Sequence, residues 1–75
     1  MNIQDHVQLV AEQIIPDNFG DVYKLIIDEV NIGTIKAALT HTNGNQSKAA
    51  KLLGVNRGTL RKRIEAYELK LRAEG

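Results

Sequence analysis

Residues 44–67, GNQSKAAKLLGVNRGTLRKRIEAY, constrain the fold of this 75-residue chain more than any other segment. Asn45 is a favourable N-cap for one helix, and Gly54 suits the left-handed backbone that often ends a helix. Asn56 is a favourable N-cap for a second helix, in which apolar residues recur at helical spacing from Leu60 onward. The pattern therefore predicts two short helices joined by a tight turn, which is the layout of a helix-turn-helix. The residues predicted to face inward are Ala49, Ala50, Leu53, Leu60, Ile64, Tyr67 and Leu71.

Two more helices and no strand are predicted ahead of this motif. The first has one apolar face and ends before Pro16, because the residue that precedes a proline is disfavoured in the helical region. The second begins near Asp21 and ends at residues 43–44, where Asn-Gly is a helix C-terminal signature. Gly33 allows either one bent helix or two helices, and the continuing phase of the apolar residues favours one bent helix. The predicted fold class is all-α with four helices.

The N-terminal half of the chain carries more aliphatic surface than one small domain can bury. A chain of this length supports only a thin core, and its aliphatic residues reach more than one helix face. A partner subunit could bury them, so a dimer is predicted. The chain is interpreted as one domain, residues 1–75, with dimerisation helices in 1–43 and the helix-turn-helix in 44–72. The expected interface residues are Val7, Val10, Ile14, Val22, Leu25, Ile26, Val30 and Ile35.

Charge is unevenly distributed along the sequence. Residues 1–44 hold two cations and six carboxylates, whereas residues 45–72 hold eight cations and two carboxylates, within a net charge of only +1. This division is typical of an acidic scaffold that carries a basic nucleic-acid-binding end.

The fourth predicted helix offers side chains suited to DNA. Its first turn is the part of a helix-turn-helix that reaches base edges in the major groove. Arg57 can bind guanine O6 and N7 in bidentate fashion, and Asn56 beside it can accept or donate at a base edge. The predicted DNA-binding residues are Asn45, Ser47, Lys48, Asn56, Arg57, Thr59, Arg61, Lys62 and Arg63. The alternative is that the asparagines only cap helices and the cations form a solvated face.

Catalysis and membrane insertion are not predicted. The chain has no cysteine, and His6 and His41 lack partners at metal-ligand spacing, so no metal, cofactor or small-molecule substrate is expected. No apolar run is long enough to span a membrane, and the N-terminus lacks the pattern of a signal peptide. A cytoplasmic location is therefore the default expectation.

Two stretches, Asn45-Gln-Ser-Lys-Ala-Ala50 and Leu53-Gly-Val-Asn-Arg-Gly-Thr-Leu-Arg-Lys-Arg-Ile64, closely resemble the Fis family of bacterial nucleoid proteins. The resemblance is dense over residues 44–67 and looser through the first two helices. The same module also occurs in the C-terminal domains of NtrC-type enhancer-binding activators.

The resemblance implies an intertwined homodimer whose first two helices form a four-helix core, with both helix-turn-helix motifs on one face. In the family the two motifs lie closer together than one turn of B-DNA, which implies DNA bending and degenerate, A/T-centred palindromic sites. It also implies that Asn56 and Arg57 contact base edges. The residues that it places toward the DNA backbone are Asn45, Ser47, Thr59, Arg61 and Lys62. The implied function is a nucleoid-associated regulator of transcription, with double-stranded DNA as partner and RNA polymerase as a further candidate partner.

Two departures and two alternatives accompany the resemblance. Gly33 stands where a proline kinks the long helix in enteric members of the family, and Arg63 occupies a position that is commonly apolar in the helix-turn-helix template. One alternative is the DNA-binding domain of an NtrC-type activator, which an ATPase domain encoded upstream would reveal. The other alternative is a dimeric interaction module whose basic surface docks on an acidic protein.

Overall fold

The computed structural model describes residues 2–68, and all regular structure within that range is helical. The prediction of an all-α fold with four helices is confirmed. A single 3₁₀ turn, Ile15–Asp17, follows the first helix. The α-helices are α1 (Ile3–Ile14), α2 (Val22–His41), α3 (Gln46–Leu53) and α4 (Arg57–Ala66). Leu71, expected on the inner face of the fourth helix, lies outside the described residues.

Local chemistry fixes both ends of α1. Asn2 is the N-cap, and its Oδ1 accepts a hydrogen bond from the Asp5 backbone amide at 2.7 Å. The α-helix ends at Ile14, ahead of Pro16, as predicted, but the predicted reason is wrong: Ile15 keeps helical angles (φ −50°, ψ −46°), and the chain continues through Pro16 as a 3₁₀ turn. Pro16 lacks the amide hydrogen that a further α-helical hydrogen bond would need. The Asn18 side-chain amide then donates to the Ile14 carbonyl at 2.8 Å, which satisfies one of the carbonyls that a helix end leaves without a partner.

The second helix is continuous through Gly33, which confirms one helix instead of two. A bend at Gly33 stays a prediction. Beyond the helix end, Asn43 has a φ of 54° and Gly44 a φ of 84°, both in the left-handed region. The Gly44 amide donates to the Leu39 carbonyl at 2.8 Å, and the Asn43 amide donates to the Thr40 carbonyl at 3.3 Å. These two bonds form a Schellman motif, as the Asn-Gly sequence predicts.

The chain divides into two compact units, which we call unit 1 (residues 1–30) and unit 2 (residues 31–75). The division falls inside α2, earlier than the division after residue 43 that the sequence suggests. None of the described residues of unit 1 is buried. The second half of α2 instead belongs with the helix-turn-helix, because its Ile35 and Ala38 share a buried cluster with α3 and α4.

Unit 2 has a small, well-defined core. The buried cluster comprises Ile35, Ala38, Ala49, Ala50 and Leu60, and none of these residues exposes more than 4 % of its surface. The two alanines of α3 let neighbouring helices approach closely. Partly buried apolar residues packed against this cluster are Leu39, Leu53, Ile64 and Tyr67. The described residues that were predicted to face inward are therefore confirmed.

One hydrogen bond ties the end of α4 to α2. The Asn31 Nδ2 group donates to the Tyr67 hydroxyl at 3.1 Å across 36 positions of sequence. Tyr67 is the C-cap residue of α4, so this bond joins the C-terminal end of the helix to α2.

Candidate nucleic-acid interface

The start of α3 is a capped helix N-terminus at the surface. Asn45 has extended backbone angles, and its Oδ1 accepts a hydrogen bond from the Lys48 amide at 3.0 Å. The amides of Gln46 and Ser47 belong to the first turn, where a helix has no internal partner for its N–H groups. Exposed amides at the positive end of a helix, next to a hydroxyl and a lysine, suit a phosphate group.

The turn between α3 and α4 is held by backbone geometry. Gly54 has a φ of 77°, and its amide donates to the Lys51 carbonyl at 3.2 Å. The Val55 amide donates to the Ala50 carbonyl at 3.0 Å. A residue with a side chain would be strained at this φ, so Gly54 allows only three residues, 54–56, to separate α3 from α4.

Asn56 caps α4 in a way that restricts its contact with a base. Its Oδ1 accepts a hydrogen bond from the Gly58 amide at 2.7 Å. A Cβ atom added at Gly58 would lie 3.0 Å from that oxygen, so glycine leaves room for the cap. The Asn56 carboxamide oxygen is therefore engaged in the cap, and its Nδ2 group is what the side chain can offer outward. Of the two roles that the sequence allowed Asn56 at a base edge, the cap favours that of donor, and the contact itself stays a prediction.

The nine predicted DNA-binding residues all lie in unit 2 and are all exposed. Arg61 is paired within its helix: its Nε lies 3.3 Å from Glu65 Oε1, and both side chains are largely exposed. Such a surface pair is worth at most about 1 kcal/mol, so a phosphate can compete for Arg61 at little cost. Arg63 differs from the other cations, because it lines a depression together with Asn31 and Thr34 of α2.

The sequence contains a signal for the Arg61–Glu65 pair but none for the Asn31–Tyr67 bond. The pairing of Arg61 with Glu65 follows from their i,i+4 spacing on a helix. The bond between Asn31 and Tyr67 has no signal in the sequence, because it joins residues that only the fold brings together.

Residues 28–67, more than half of the chain, match the sequence model of a family described as bacterial regulatory protein, Fis family. The chain belongs to the Fis family. The matched range begins within α2, shortly before the start of unit 2, and ends at Tyr67.

Named relatives of this Fis-family chain come from several bacteria. A Fis-like DNA-binding protein of Xylella fastidiosa (strain 9a5c) is 38% identical over 71 residues, covering 89% of this chain and 79% of that protein. A Fis-like DNA-binding protein of Pseudomonas aeruginosa is 47% identical over 49 residues, covering 65% of this chain and 47% of that protein. The DNA-binding protein Fis of Aliivibrio fischeri (strain MJ11) is 46% identical over 48 residues, covering 64% of this chain and 49% of that protein. The chain thus spans about half the length of the last two relatives. No solved structure matches it.

The predicted interface residues of this Fis-family chain fall into two groups. Seven of them lie in unit 1, where every described side chain is at least partly exposed; Val30, for example, is 46% exposed. Ile35 is different, because only 4% of its surface is exposed and it belongs to the core of unit 2. The seven residues of unit 1 are therefore the ones available to a partner subunit.

Within residues 2–68, no group of three or more His, Cys, Asp or Glu residues could hold a metal ion. No helix in the same range is long and apolar enough to cross a bilayer.

Proposed function

We propose that this Fis-family chain is a homodimeric regulator of transcription that bends DNA at degenerate, A/T-centred palindromic sites. The observation that carries the proposal is the exposed surface of unit 2, where two capped helix N-termini lie beside a cluster of cations. The family is described as one of regulatory proteins, so the proposed activity is binding instead of catalysis. Three relatives are named as DNA-binding proteins, which supports double-stranded DNA as the partner.

The cations of α3 and α4 are suited to different parts of the DNA, some to base edges and others to the phosphate backbone. Arg57 is the first residue of α4 and follows the Asn56 cap directly, so both side chains belong to the turn that enters the major groove. Lys62 lies further along the same helix, at a position suited to the phosphate backbone. At the start of α3, Ser47 and Lys48 with the helix amides provide a second backbone contact.

The homodimer is supported by the surface of unit 1. Its large apolar residues are exposed to an unusual degree for a monomer, with Ile3 at 84% and Tyr23 at 80%. Burying this surface against the same surface of a second copy gives a two-fold arrangement, which matches the symmetry of a palindromic site. Bending is proposed from the geometry of the family, in which two closely spaced helix-turn-helix motifs must distort the duplex to reach both half-sites.

The proposal places the protein in the cytoplasm, on the nucleoid. RNA polymerase is a candidate partner, because a regulator of transcription acts by helping or blocking that enzyme.

Fluorescence anisotropy with a labelled A/T-centred palindrome and a scrambled duplex, over a series of salt concentrations, tests DNA binding. We expect tighter binding to the palindrome, and a logarithm of affinity that falls linearly with the logarithm of salt concentration. The absence of binding to either duplex at low salt would discard the proposal. Equal binding to both would leave an architectural role without sequence preference.

Three variants test whether Arg57 contacts a base and Lys62 a phosphate. Arg57→Ala should cost about 1–3 kcal/mol at its cognate base pair and relax the preference there. Lys62→Ala should weaken binding to all sequences alike and reduce the salt slope by about 1. Lys51→Ala, which removes an exposed cation of α3 outside the predicted set, is the control. Equal losses in all three variants on every sequence would contradict the assigned roles.

A further inference from the structure

A groove in unit 2 has an apolar floor. It has a volume of about 140 Å³ and lies between the second half of α2, the α3–α4 turn and α4. Ile35, Leu53 and Leu60 supply apolar surface to it, and Val55, at its edge in the turn, is 43% exposed. An apolar side chain could bury itself there against residues that already form the core of unit 2.

The rim of the groove is cationic. Arg63 lines it, and a second depression on α4 shares Arg63 and Thr59 with the groove and adds Lys62. No carboxylate lines either depression among the described residues. This position of Arg63 explains its departure from the helix-turn-helix template, where an apolar residue is common: the side chain borders an open groove instead of a closed core. The groove therefore suits an apolar side chain flanked by negative charge.

Unit 1 presents a segment with that chemistry. Phe19 is 97% exposed, the highest value among the large apolar residues within positions 2–68. Asp17 and Asp21 lie two residues to either side of it, and both are exposed. Residues 1–30 as a whole carry six carboxylates and one cation, whereas residues 31–75 carry nine cations and three carboxylates. An exposed aromatic ring between two carboxylates is complementary to an apolar floor beside Arg63.

We propose that the groove of one subunit binds the Phe19 loop, residues 15–21, of a second copy of the chain. The Phe19 ring lies on the apolar floor, and Asp17 and Asp21 face the Arg63 rim. This inference rests on the proposed homodimer and adds to it a contact between the acidic unit of one subunit and the basic unit of its partner. It also reassigns Arg63 from DNA to the subunit contact.

Cysteine cross-linking tests the contact directly, because the native chain has no cysteine. Phe19→Cys and Val55→Cys are introduced into separate chains, which are mixed and oxidised gently. A disulfide requires the two Cβ atoms to come within about 4.5 Å, so a specific contact should give a mixed disulfide-linked dimer in high yield. The control uses Ile3→Cys in place of Phe19→Cys, because Ile3 is 84% exposed but lies outside the loop. A yield no higher than that of the control overturns the inference.

Sedimentation equilibrium provides a second measurement that separates this inference from the homodimer itself. Phe19→Ala should raise the dimer dissociation constant about tenfold or more, as for an aromatic anchor, whereas Leu52→Ala, at a residue of α3 that is 55% exposed, should leave it unchanged. Arg63→Glu should weaken the dimer, and combining it with Asp17→Lys and Asp21→Lys should restore it. A dimer that is insensitive to Phe19→Ala overturns the contact but keeps the proposed function. A wild-type chain that is monomeric at all concentrations overturns both.

Discussion

The two roles of Asn56 can be separated by substitution. Its Oδ1 caps α4 through the Gly58 amide at 2.7 Å, and its Nδ2 group is the proposed donor to a base. Asn56→Ala removes both groups, and loss of such a cap costs about 0.5–2 kcal/mol. Asn56→Ser keeps a capping oxygen but loses the Nδ2 donor, and serine caps helices about as well as asparagine. Asn56→Asp also keeps the cap and places a negative charge where a base or phosphate approaches.

The expected magnitudes differ between stability and binding. In a domain of this size, 1 kcal/mol lowers the melting temperature by roughly 4–8 °C, so Asn56→Ala should show a shift of that order. Asn56→Ser should stay within a degree or two of the wild type. Loss of one hydrogen bond costs about 0.5–1.5 kcal/mol, and a dimer loses it twice, so the loss of about 1–3 kcal/mol should weaken binding by Asn56→Ser roughly 5- to 150-fold. Asn56→Asp should be as stable as wild type and should bind the weakest of the three.

Thermal unfolding by circular dichroism, at one fixed chain concentration, measures the stability, and anisotropy on the palindrome measures the binding. Fixed concentration matters because the melting temperature of a dimer depends on it. The reasoning is refuted if Asn56→Ser is destabilised as strongly as Asn56→Ala, because the oxygen would then not be the cap. It is also refuted if Asn56→Ser binds DNA as well as wild type, because Asn56 would then be only a cap.

Three further substitutions test other contacts of unit 2. Tyr67→Phe removes the acceptor of the Asn31 hydrogen bond and should cost about 0.5–1.5 kcal/mol in denaturant unfolding, while an unchanged midpoint would show that the bond contributes nothing. Gly54→Ala should destabilise the chain by about 1–2 kcal/mol, because Gly54 has a φ of 77°. Gly33→Ala, at a helical position with open space around the new Cβ, should stabilise it by up to about 1 kcal/mol. Stability changes of the same sign in the two variants would contradict the argument from backbone conformation. Glu65→Gln removes the ion pair with Arg61 and should tighten binding to every duplex by up to about fivefold. Weaker binding would mean instead that the pair positions Arg61 for DNA.

The sequence was sufficient to predict the features of this fold that depend on local chemistry. The caps at Asn45 and Asn56, the stop before Pro16 and the left-handed Gly54 each depend on residues within a few positions, and the structure confirms them. The inner face of α4 was also predictable, because a helical repeat fixes which side chains point together.

Features that depend on packing between distant segments were not predictable in this way. The division of the chain after Val30 depends on how Ile35 and Ala38 pack with α3 and α4, and no local pattern encodes that contact. The position of Arg63 at a groove shared with α2 is of the same kind. For Gly58, the sequence shows only that a side chain is missing. Coordinates are needed to see that a Cβ atom at this position would lie 3.0 Å from Asn56 Oδ1.

Energy transfer between the two ends of a labelled duplex measures whether two copies of the chain bind one duplex and bend it. An A/T-centred palindrome carries a donor fluorophore at one end and an acceptor fluorophore at the other, and the protein is titrated at a duplex concentration well above the dissociation constant. Two bound chains that bend the duplex should raise the transfer efficiency, because the ends approach, and the rise should saturate at two chains per duplex. Saturated binding with no change in transfer, or saturation at one chain per duplex, would show that the protein does not bend DNA as a dimer.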